Sequence, residues 1–340
     1  MSVPGGPIRV LDGHNDLPWA HRTIAGHDLD ACDIAESQSA LHTDLPRMRA
    51  GGLAAQLWSV WVPCTLTGEE AVTATHEQID FVEAMCARYD EMVLARTAAD
   101  VRAVWDDGRH AALLGMEGGH CIADSLDHLT AFAERGVRYM TLTHNDNTSW
   151  ADSATDERVH GGLTPFGREV VARMNQLGVM VDLSHVSPET MHDALDTTRV
   201  PVVFSHSGAR AVTDHPRNVP DDVLERVPGN GGVVMANVVP KFVNPARADV
   251  DLGRSAAMPD PVATLEHVLA HLEHLREVVG VEHVGIGADY DGVDETPVGL
   301  EDVASYPRLL AALADRGWSR ADLEALAHGN ALRVLEATGV

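Results

Sequence analysis

Lysine is almost absent from this sequence, and basic residues as a class are far outnumbered by acidic ones. Lys241 is the only lysine, arginine supplies the rest of the 25 basic residues, and 51 aspartates and glutamates bring the net charge to −26. Nucleic acids and anionic membrane surfaces repel so acidic a chain. We therefore expect neither of them as a partner.

Long apolar runs and metal-binding cysteine motifs are also missing. No apolar stretch reaches the roughly 18 residues of a transmembrane helix, and the N-terminal segment lacks the basic and apolar regions of a secretory signal. Cys32, Cys64, Cys86 and Cys121 form no C-x-x-C motif, so we expect four free thiols and a cytoplasmic location. Walker A, Rossmann and G-x-S-x-G patterns do not occur either.

The sequence instead repeats one unit, a short apolar run followed in most cases by a helical pattern. The predicted strands are Ile8–Asp16, Ala54–Val62, Ala111–Glu117, Tyr139–His144, Val179–His185, Pro201–His206, Gly232–Val239 and His283–Asp289. The clearest predicted helices cover 69–89, 125–136, 164–178, 187–198 and 259–280. Such alternation within 340 residues predicts an α/β fold, a (β/α)₈ TIM-type barrel. An open doubly wound sheet is the alternative.

No linker or low-complexity segment divides the chain. We therefore predict a single catalytic domain over 1–340, with an irregular insertion over 17–52 above the barrel and terminal helices at about 301–340 packed outside. His267, His271 and His274 fall near one face of the long helix predicted over 259–280, and we expect that face to be solvated.

Acidic and imidazole residues stand at the ends of six predicted strands. They are His14, Asp16, Glu117, His144, His185, His206 and Asp289. The C-terminal ends of barrel strands meet at one face, where barrel enzymes have their active sites. Burying so many ionisable groups without a cation would be costly, so the pattern predicts a metal site there.

The number of ligands indicates two metal ions. His14, Asp16, His185 and His206 supply two ligands to each ion, and Glu117 can bridge both. Mixed histidine and carboxylate ligation fits two Zn²⁺ per chain, with Mn²⁺ or Co²⁺ as substitutes. Two such ions would share a water and generate a bridging hydroxide near neutral pH. Asp289 is placed to take a proton from this water and pass it to a leaving amine, and His144 to bind a developing oxyanion.

With these residues assembled, the sequence resembles the membrane (renal) dipeptidase family, metallopeptidases among the amidohydrolase-like barrels. The matching motifs include "DGHNDLP", "GMEGG", "YMTLTHNDNTSWADS", "GVMVDLSH", "FSHSGARAV", "RNVPDD" and "GIGADYDG", in family order over nearly the whole chain. The resemblance implies His14, Asp16, Glu117, His185 and His206 as metal ligands. It also implies His144, Arg217 and Asp289 as substrate-binding residues, with Arg217 on the carboxylate of a dipeptide.

The resemblance further implies hydrolysis of free dipeptides, including those with a D-residue at the second position, and in some members of carbapenem-type β-lactams. Cys64 stands at a cysteine position of the secreted animal members, but the partner position is Asp146, so their disulfide is not expected. The sequence up to Val340 has no hydrophobic anchor tail, so their lipid anchor is not expected either. Another amidohydrolase reaction, such as deamination or lactone hydrolysis, and a non-catalytic metal-binding barrel remain alternatives. A homodimer stays open as the oligomeric state.

Overall fold

A computed structural model describes residues 6–256 and 261–339 and contains one parallel sheet of nine strands. The strands are β1 Val10–Asn15, β2 Leu53–Ser59, β3 Met92–Leu94, β4 His110–Met116, β5 Val137–Thr141, β6 Met180–Asp182, β7 Val203–Phe204, β8 Val233–Ala236 and β9 Val284–Ile286. Their order is β2-β1-β9-β8-β7-β6-β5-β4-β3, and the additional pairing of β2 with β4 closes an eight-stranded barrel. The predicted (β/α)₈ fold is confirmed, and the open sheet is excluded.

Helices connect the strands and follow the last one. They are Leu17–Ala25, Leu45–Gly51, Glu69–Arg88, Ala98–Asp106, Leu126–Arg135, Pro165–Leu177, Pro188–Thr197, Asp221–Leu224, Val227–Asn230, Pro240–Val243, Pro245–Asp251, Leu265–Val279, Tyr306–Asp315, Arg320–Glu324 and Asn330–Ala337. Ser125, Thr164 and Ser187 each accept a hydrogen bond from a backbone N–H of the first turn that follows. These caps explain why three predicted helices begin where they do.

The strand prediction needs two corrections. The strand β3 is not among the eight predicted strands, because its three residues are too short an apolar pattern to identify. It pairs with His110–Ala112 of β4. The observed strands are also shorter than the predicted runs. β6 ends at Asp182 and β7 at Phe204, so His185 and His206 lie in the loops that follow them.

The end of the chain differs from the prediction that the terminal helices pack outside. The helix Tyr306–Asp315 lies against the outer helix Leu265–Val279, whereas Asn330–Ala337 covers the N-terminal end of the barrel. Its side chains Leu332 and Leu335 pack in one apolar cluster with strand residues of the barrel interior. Burial of this apolar surface stabilises the closed barrel from below.

The prediction of a solvated histidine face is wrong for His271, which is fully buried. Its Nδ1 accepts a hydrogen bond of 2.9 Å from the backbone N–H of Ala209. The predicted domain limits at 1 and 340 and the first two residues of the helix predicted over 259–280 lie outside the described residues. That the whole chain is one domain stays a prediction.

Two further observations concern membrane-spanning helices and the cysteines. Within 6–256 and 261–339, no helix combines the length and the hydrophobicity needed to cross a lipid bilayer. Cys32, Cys64, Cys86 and Cys121 are all free thiols, as expected.

Candidate active site

Seven acidic and imidazole side chains meet at the C-terminal mouth of the barrel, supplied by the ends of six strands. They are the seven residues His14, Asp16, Glu117, His144, His185, His206 and Asp289. Five of these residues are buried, and His144 and Asp289 are partly buried. The structure thus brings together every residue that the strand-end pattern singled out, with Glu117 at the centre.

Glu117 faces two groups of side chains at once. Its Oε2 lies 3.5 Å from Nε2 of His14. Its Oε1 lies 2.9 Å from Nε2 of His185 and 3.3 Å from Nε2 of His206. A carboxylate that directs one oxygen to each of two groups has the arrangement required of a bridging metal ligand.

The first group contains His14, Asp16 and Asp289. Nε2 of His14 lies 3.3 Å from Oδ2 of Asp16 and 3.9 Å from Oδ1 of Asp289. On the other side of the ring, Nδ1 of His14 lies 2.7 Å from the hydroxyl of Tyr139. This contact fixes the ring so that Nε2 points at the carboxylates.

The second group contains His185, His206 and His144. The Nε2 atoms of His185 and His206 lie 2.9 Å apart, and Nε2 of His144 is 4.0 Å from Oε1 of Glu117. Burial lowers the pKa values of His185 and His206 well below the usual range, and the nearby charge of Arg217 lowers both further. Both rings are therefore neutral near pH 7, which is the form that binds metals.

This donor set fits a pair of cations. Buried nitrogens and oxygens normally have hydrogen-bond partners, yet Nε2 of His14 and Oδ1 of Asp16 are buried without one. Two imidazole Nε2 atoms that face each other at 2.9 Å are also placed to share a cation rather than two protons. Three sets of side chains each have ligand atoms within 4.8 Å of one another. They are His14 with His206 and Glu117, Glu117 with His144 and His185, and His14 with Asp16 and Asp289.

Buried aspartates hold the loops that carry the histidines. Oδ1 of Asp12 accepts hydrogen bonds from the backbone N–H groups of His14 and Ala288. Oδ1 of Asp182 accepts from the N–H groups of Ser184 and Ser205 in the same way. Each aspartate therefore ties two neighbouring strand ends together and sets their backbone direction.

Backbone strain is concentrated at the same mouth. His185 and Asp289 have φ values of 71° and 69°, and Asp291 has 64°. Non-glycine residues rarely adopt this left-handed region, and strained residues cluster at active sites. Gly292 shows how tightly the site is packed, since a Cβ there would lie 2.3 Å from Oδ2 of Asp16 and 2.6 Å from Oδ1 of Asp289.

The ionisation of the carboxylates differs across the site. Burial raises the pKa of Asp289 well above its usual range, and the neighbouring charges of Asp16 and Glu117 act in the same direction. Burial alone would also raise the pKa of Glu117, but His14 and His144 hold it well below its usual range. Glu117 is thereby favoured as a fixed charge, and Asp289 as a group that accepts a proton.

Arg217 lies behind the second group, where it is 2% exposed. Its Nη2 is 3.4 Å from the carbonyl oxygen of His206, its Cζ is 5.2 Å from the ring centroid of Phe242, and burial lowers its pKa to about 10. Nε and Nη1 are buried without a hydrogen-bond partner. A buried guanidinium with two free donors is suited to a carboxylate, which accepts two parallel hydrogen bonds.

A cavity of about 660 Å³ opens above these groups. Asp16, Glu117, His144, His185 and Asp289 form part of its lining. Aromatic side chains form other parts, including Trp19, Trp61 and Phe242. The ring of Trp61 packs edge-on against His144 at 5.3 Å and against Trp19 at 4.8 Å. The volume suits a small molecule.

The sequence did not predict a role in the site for several of its residues. Tyr139 was read only as part of a strand, and Asp12 and Asp182 as residues within predicted strands. Asp291 follows the same strand end as Asp289; its side chain is 2% exposed, and burial raises its pKa to about 7. The one available signal was a charged residue inside an otherwise apolar strand, which applies to Asp12 and Asp182.

Comparison with known proteins gives concordant results. The sequence pattern of the membrane dipeptidases, peptidase family M19, matches residues 7–339. The chain is 41% identical to dipeptidase 3 of Rattus norvegicus over 330 residues, which are 96% of this chain and 64% of the rat protein. It is 42% identical to an uncharacterised dipeptidase of Schizosaccharomyces pombe over 97% of this chain and 80% of that protein. The chain thus spans less than two thirds of the rat protein.

Solved structures show the same architecture. A metallopeptidase from Rhodobacter sphaeroides, solved with a phosphinate mimic of the dipeptide L-Ala-D-Ala, superposes with a TM-score of 0.84 at 30% identity. The match covers 97% of this chain and 99% of that one.

Proposed function

This chain belongs to the membrane dipeptidase family, peptidase family M19, and we propose that it is a metal-dependent dipeptidase that hydrolyses free L-Xaa-L-Xaa and L-Xaa-D-Xaa dipeptides. The observation that carries the proposal is the position of Glu117 between two groups of histidines and carboxylates. The dipeptide mimic in the structure of the Rhodobacter sphaeroides relative supports the same substrate class.

The proposed ligands are His14 and Asp16 for one ion, His185 and His206 for the other, and Glu117 for both. We propose two Zn²⁺ per chain because mixed histidine and carboxylate donors suit zinc, with Mn²⁺ or Co²⁺ as substitutes. When bound, such a pair lowers the pKa of water and polarises a carbonyl group.

The remaining residues bind the substrate and move its protons. The Arg217 guanidinium binds the terminal carboxylate, which sets the peptide carbonyl one residue back, beside His144. The partly buried imidazole of His144 donates to the carbonyl oxygen as negative charge develops there. Asp289, whose pKa is raised, accepts a proton from the attacking water and delivers it to the nitrogen of the leaving amine.

A panel of substrates tests the proposal. The metal-loaded protein is expected to cleave free dipeptides, and to leave C-terminally amidated dipeptides and tripeptides nearly intact. Efficient cleavage of tripeptides, or no cleavage of any dipeptide, would contradict it and favour another amidohydrolase reaction at the same centre. The cytoplasmic location and the oligomeric state stay predictions from the sequence.

A further inference from the structure

The only lysine of the chain lines the active-site cavity. Among the described residues of the cavity wall, Lys241 is the sole lysine or arginine. The same wall carries five carboxylates: Asp16, Glu117, Asp289, Asp291 and Asp294. The Lys241 side chain is 45% exposed, so its ammonium group is accessible to a molecule in the cavity.

Lys241 and Arg217 lie near the same aromatic ring, that of Phe242. Nζ of Lys241 is 5.4 Å from the ring centroid of Phe242, and Cζ of Arg217 is 5.2 Å from that centroid. Both cations therefore border one aromatic ring that forms part of the cavity wall. A substrate residue bound by Arg217, as proposed above, would lie beside the Phe242 ring that Lys241 also borders.

The two cations differ in depth. Arg217 is 2% exposed and has two buried donors without partners, whereas Lys241 is nearly half exposed. The deep guanidinium matches a main-chain carboxylate, which every dipeptide carries at the same place. The side chain of that C-terminal residue then extends from the carboxylate towards the more exposed wall, where Lys241 lies.

One acidic neighbour holds Lys241 in place. Oδ1 of Asp251 lies 3.4 Å from Nζ of Lys241, and its Oδ2 lies 3.1 Å from Nε2 of His215. Asp251 is shared between these two groups, and the distance to Lys241 is longer than a close ion pair. An ammonium group offers three donors, so Lys241 retains donors for a second carboxylate.

We propose that Lys241 is a specificity-determining residue that favours dipeptides with an acidic side chain, aspartate or glutamate, at the C-terminal position. This inference rests on the proposed dipeptidase function and names its preferred substrate class. Without Lys241, the carboxylates of the cavity wall would repel such a side chain. A partly exposed ion pair is weak, so we expect a preference of about three- to tenfold in kcat/KM.

The test compares substrates of equal size and different charge. We would measure kcat/KM for L-Ala-L-Glu against L-Ala-L-Gln, and for L-Ala-D-Glu against L-Ala-D-Gln. The proteins are the metal-loaded wild type, Lys241→Met, Lys241→Arg and Lys241→Glu. Arg254→Met is the matched control, because Arg254 is a cation of similar exposure that pairs with Asp214 away from the cavity wall.

The expected result is a glutamate preference in the wild type, in Lys241→Arg and in Arg254→Met. The preference should disappear in Lys241→Met and become a preference for L-Ala-L-Gln in Lys241→Glu. An equal loss on both substrates in Lys241→Met, or a preference that survives this change, would overturn the inference. Wild-type protein that cleaves glutamate and glutamine dipeptides equally would also overturn it while leaving the dipeptidase function intact. If no dipeptide is cleaved at all, the proposed function itself fails.

Discussion

The hydroxyl of Tyr139 lies 2.7 Å from Nδ1 of His14, and both residues are fully buried. With a metal ion at Nε2 of His14, which faces Asp16 and Glu117, Nδ1 would carry the proton and donate it to the hydroxyl of Tyr139. Gly115 makes this contact possible, since a Cβ at that position would lie 2.1 Å from the tyrosine ring. Tyr139 is thus a positioning residue for a proposed metal ligand.

Replacing Tyr139 with Phe keeps the ring and removes this hydrogen bond. We expect metal affinity to fall about 10- to 100-fold, as is typical for groups that orient ligating histidines. Competition with a chelator of known affinity measures the change. Tyr89→Phe is the control, because it removes a hydroxyl bonded to Asp33 instead. Unchanged metal affinity in Tyr139→Phe would show that packing alone orients His14.

Glu117 provides the test for two metal ions. Elemental analysis of the wild type should approach two zinc ions per chain, and Glu117→Gln should weaken both sites together because the bridging position loses its charge. His185→Asn should weaken mainly one site, since His185 belongs to only one of the two groups around Glu117. Loss of a single ion from Glu117→Gln would contradict the bridging role.

Asp289→Asn keeps the size of the side chain and removes the proton acceptor. We expect kcat to fall on the order of 10²–10⁴-fold with little change in metal content. Asp289 also lies 3.9 Å from Nε2 of His14, within reach of the first group, so metal content must be measured on the same sample. Loss of metal would make Asp289 mainly a ligand, and activity within a few-fold of wild type would exclude it as the proton carrier.

Buried histidines away from the site give a prediction about acid stability. Burial lowers the pKa of His271 to about 4, below the roughly 6.5 of an unfolded chain. The unfolded state therefore binds a proton that the folded state does not, and stability falls as pH drops from about 6.5 towards 4. The loss of unfolding free energy caused by His271 is absent above about pH 6.5 and reaches at most about 3 kcal/mol below about pH 4.

His271→Gln removes the titrating group while keeping an acceptor for Ala209. In metal-free protein, denaturant unfolding at several pH values should show a pH slope smaller by up to about one proton between pH 4 and 6.5 than in wild type. The absolute stability at pH 7 can fall in the same variant without affecting this comparison. An unchanged slope would mean that His271 is protonated in the folded state.

The candidate ligands could be predicted from the sequence because a parallel barrel brings all strand ends to one face. A single pair such as His14 and Asp16 carries little information, but the repetition of such residues on six strands does. Tyr139 could not be predicted in this way. It lies within a strand, and its contact with His14 depends on the absence of a side chain at Gly115.

Other failures have physical reasons as well. The helix pattern around His271 indicated a solvated face, but the backbone N–H of Ala209 needs a buried acceptor and His271 provides it. The position of the helix Asn330–Ala337 depends on the open lower end of the barrel, where Leu332 and Leu335 find apolar partners. Such long-range partners are not encoded in local periodicity.

Arg217 is the basis of a prediction about how the terminal carboxylate of the substrate is recognised. If its guanidinium binds the terminal carboxylate, then Arg217→Met should lower kcat/KM for free dipeptides at least about tenfold, since a charge-assisted pair is lost. The effect on C-terminally amidated dipeptides should be much smaller, because these substrates do not offer the carboxylate.

Arg217→Lys separates charge from geometry. A lysine keeps the positive charge but cannot form two parallel hydrogen bonds, so its kcat/KM for free dipeptides should lie between those of wild type and Arg217→Met. Metal content should stay the same in all three proteins, which excludes an indirect effect through His206, whose carbonyl oxygen lies 3.4 Å from Nη2 of Arg217. Equal losses on free and amidated substrates would exclude recognition of the carboxylate and leave Arg217 a structural role beside Phe242.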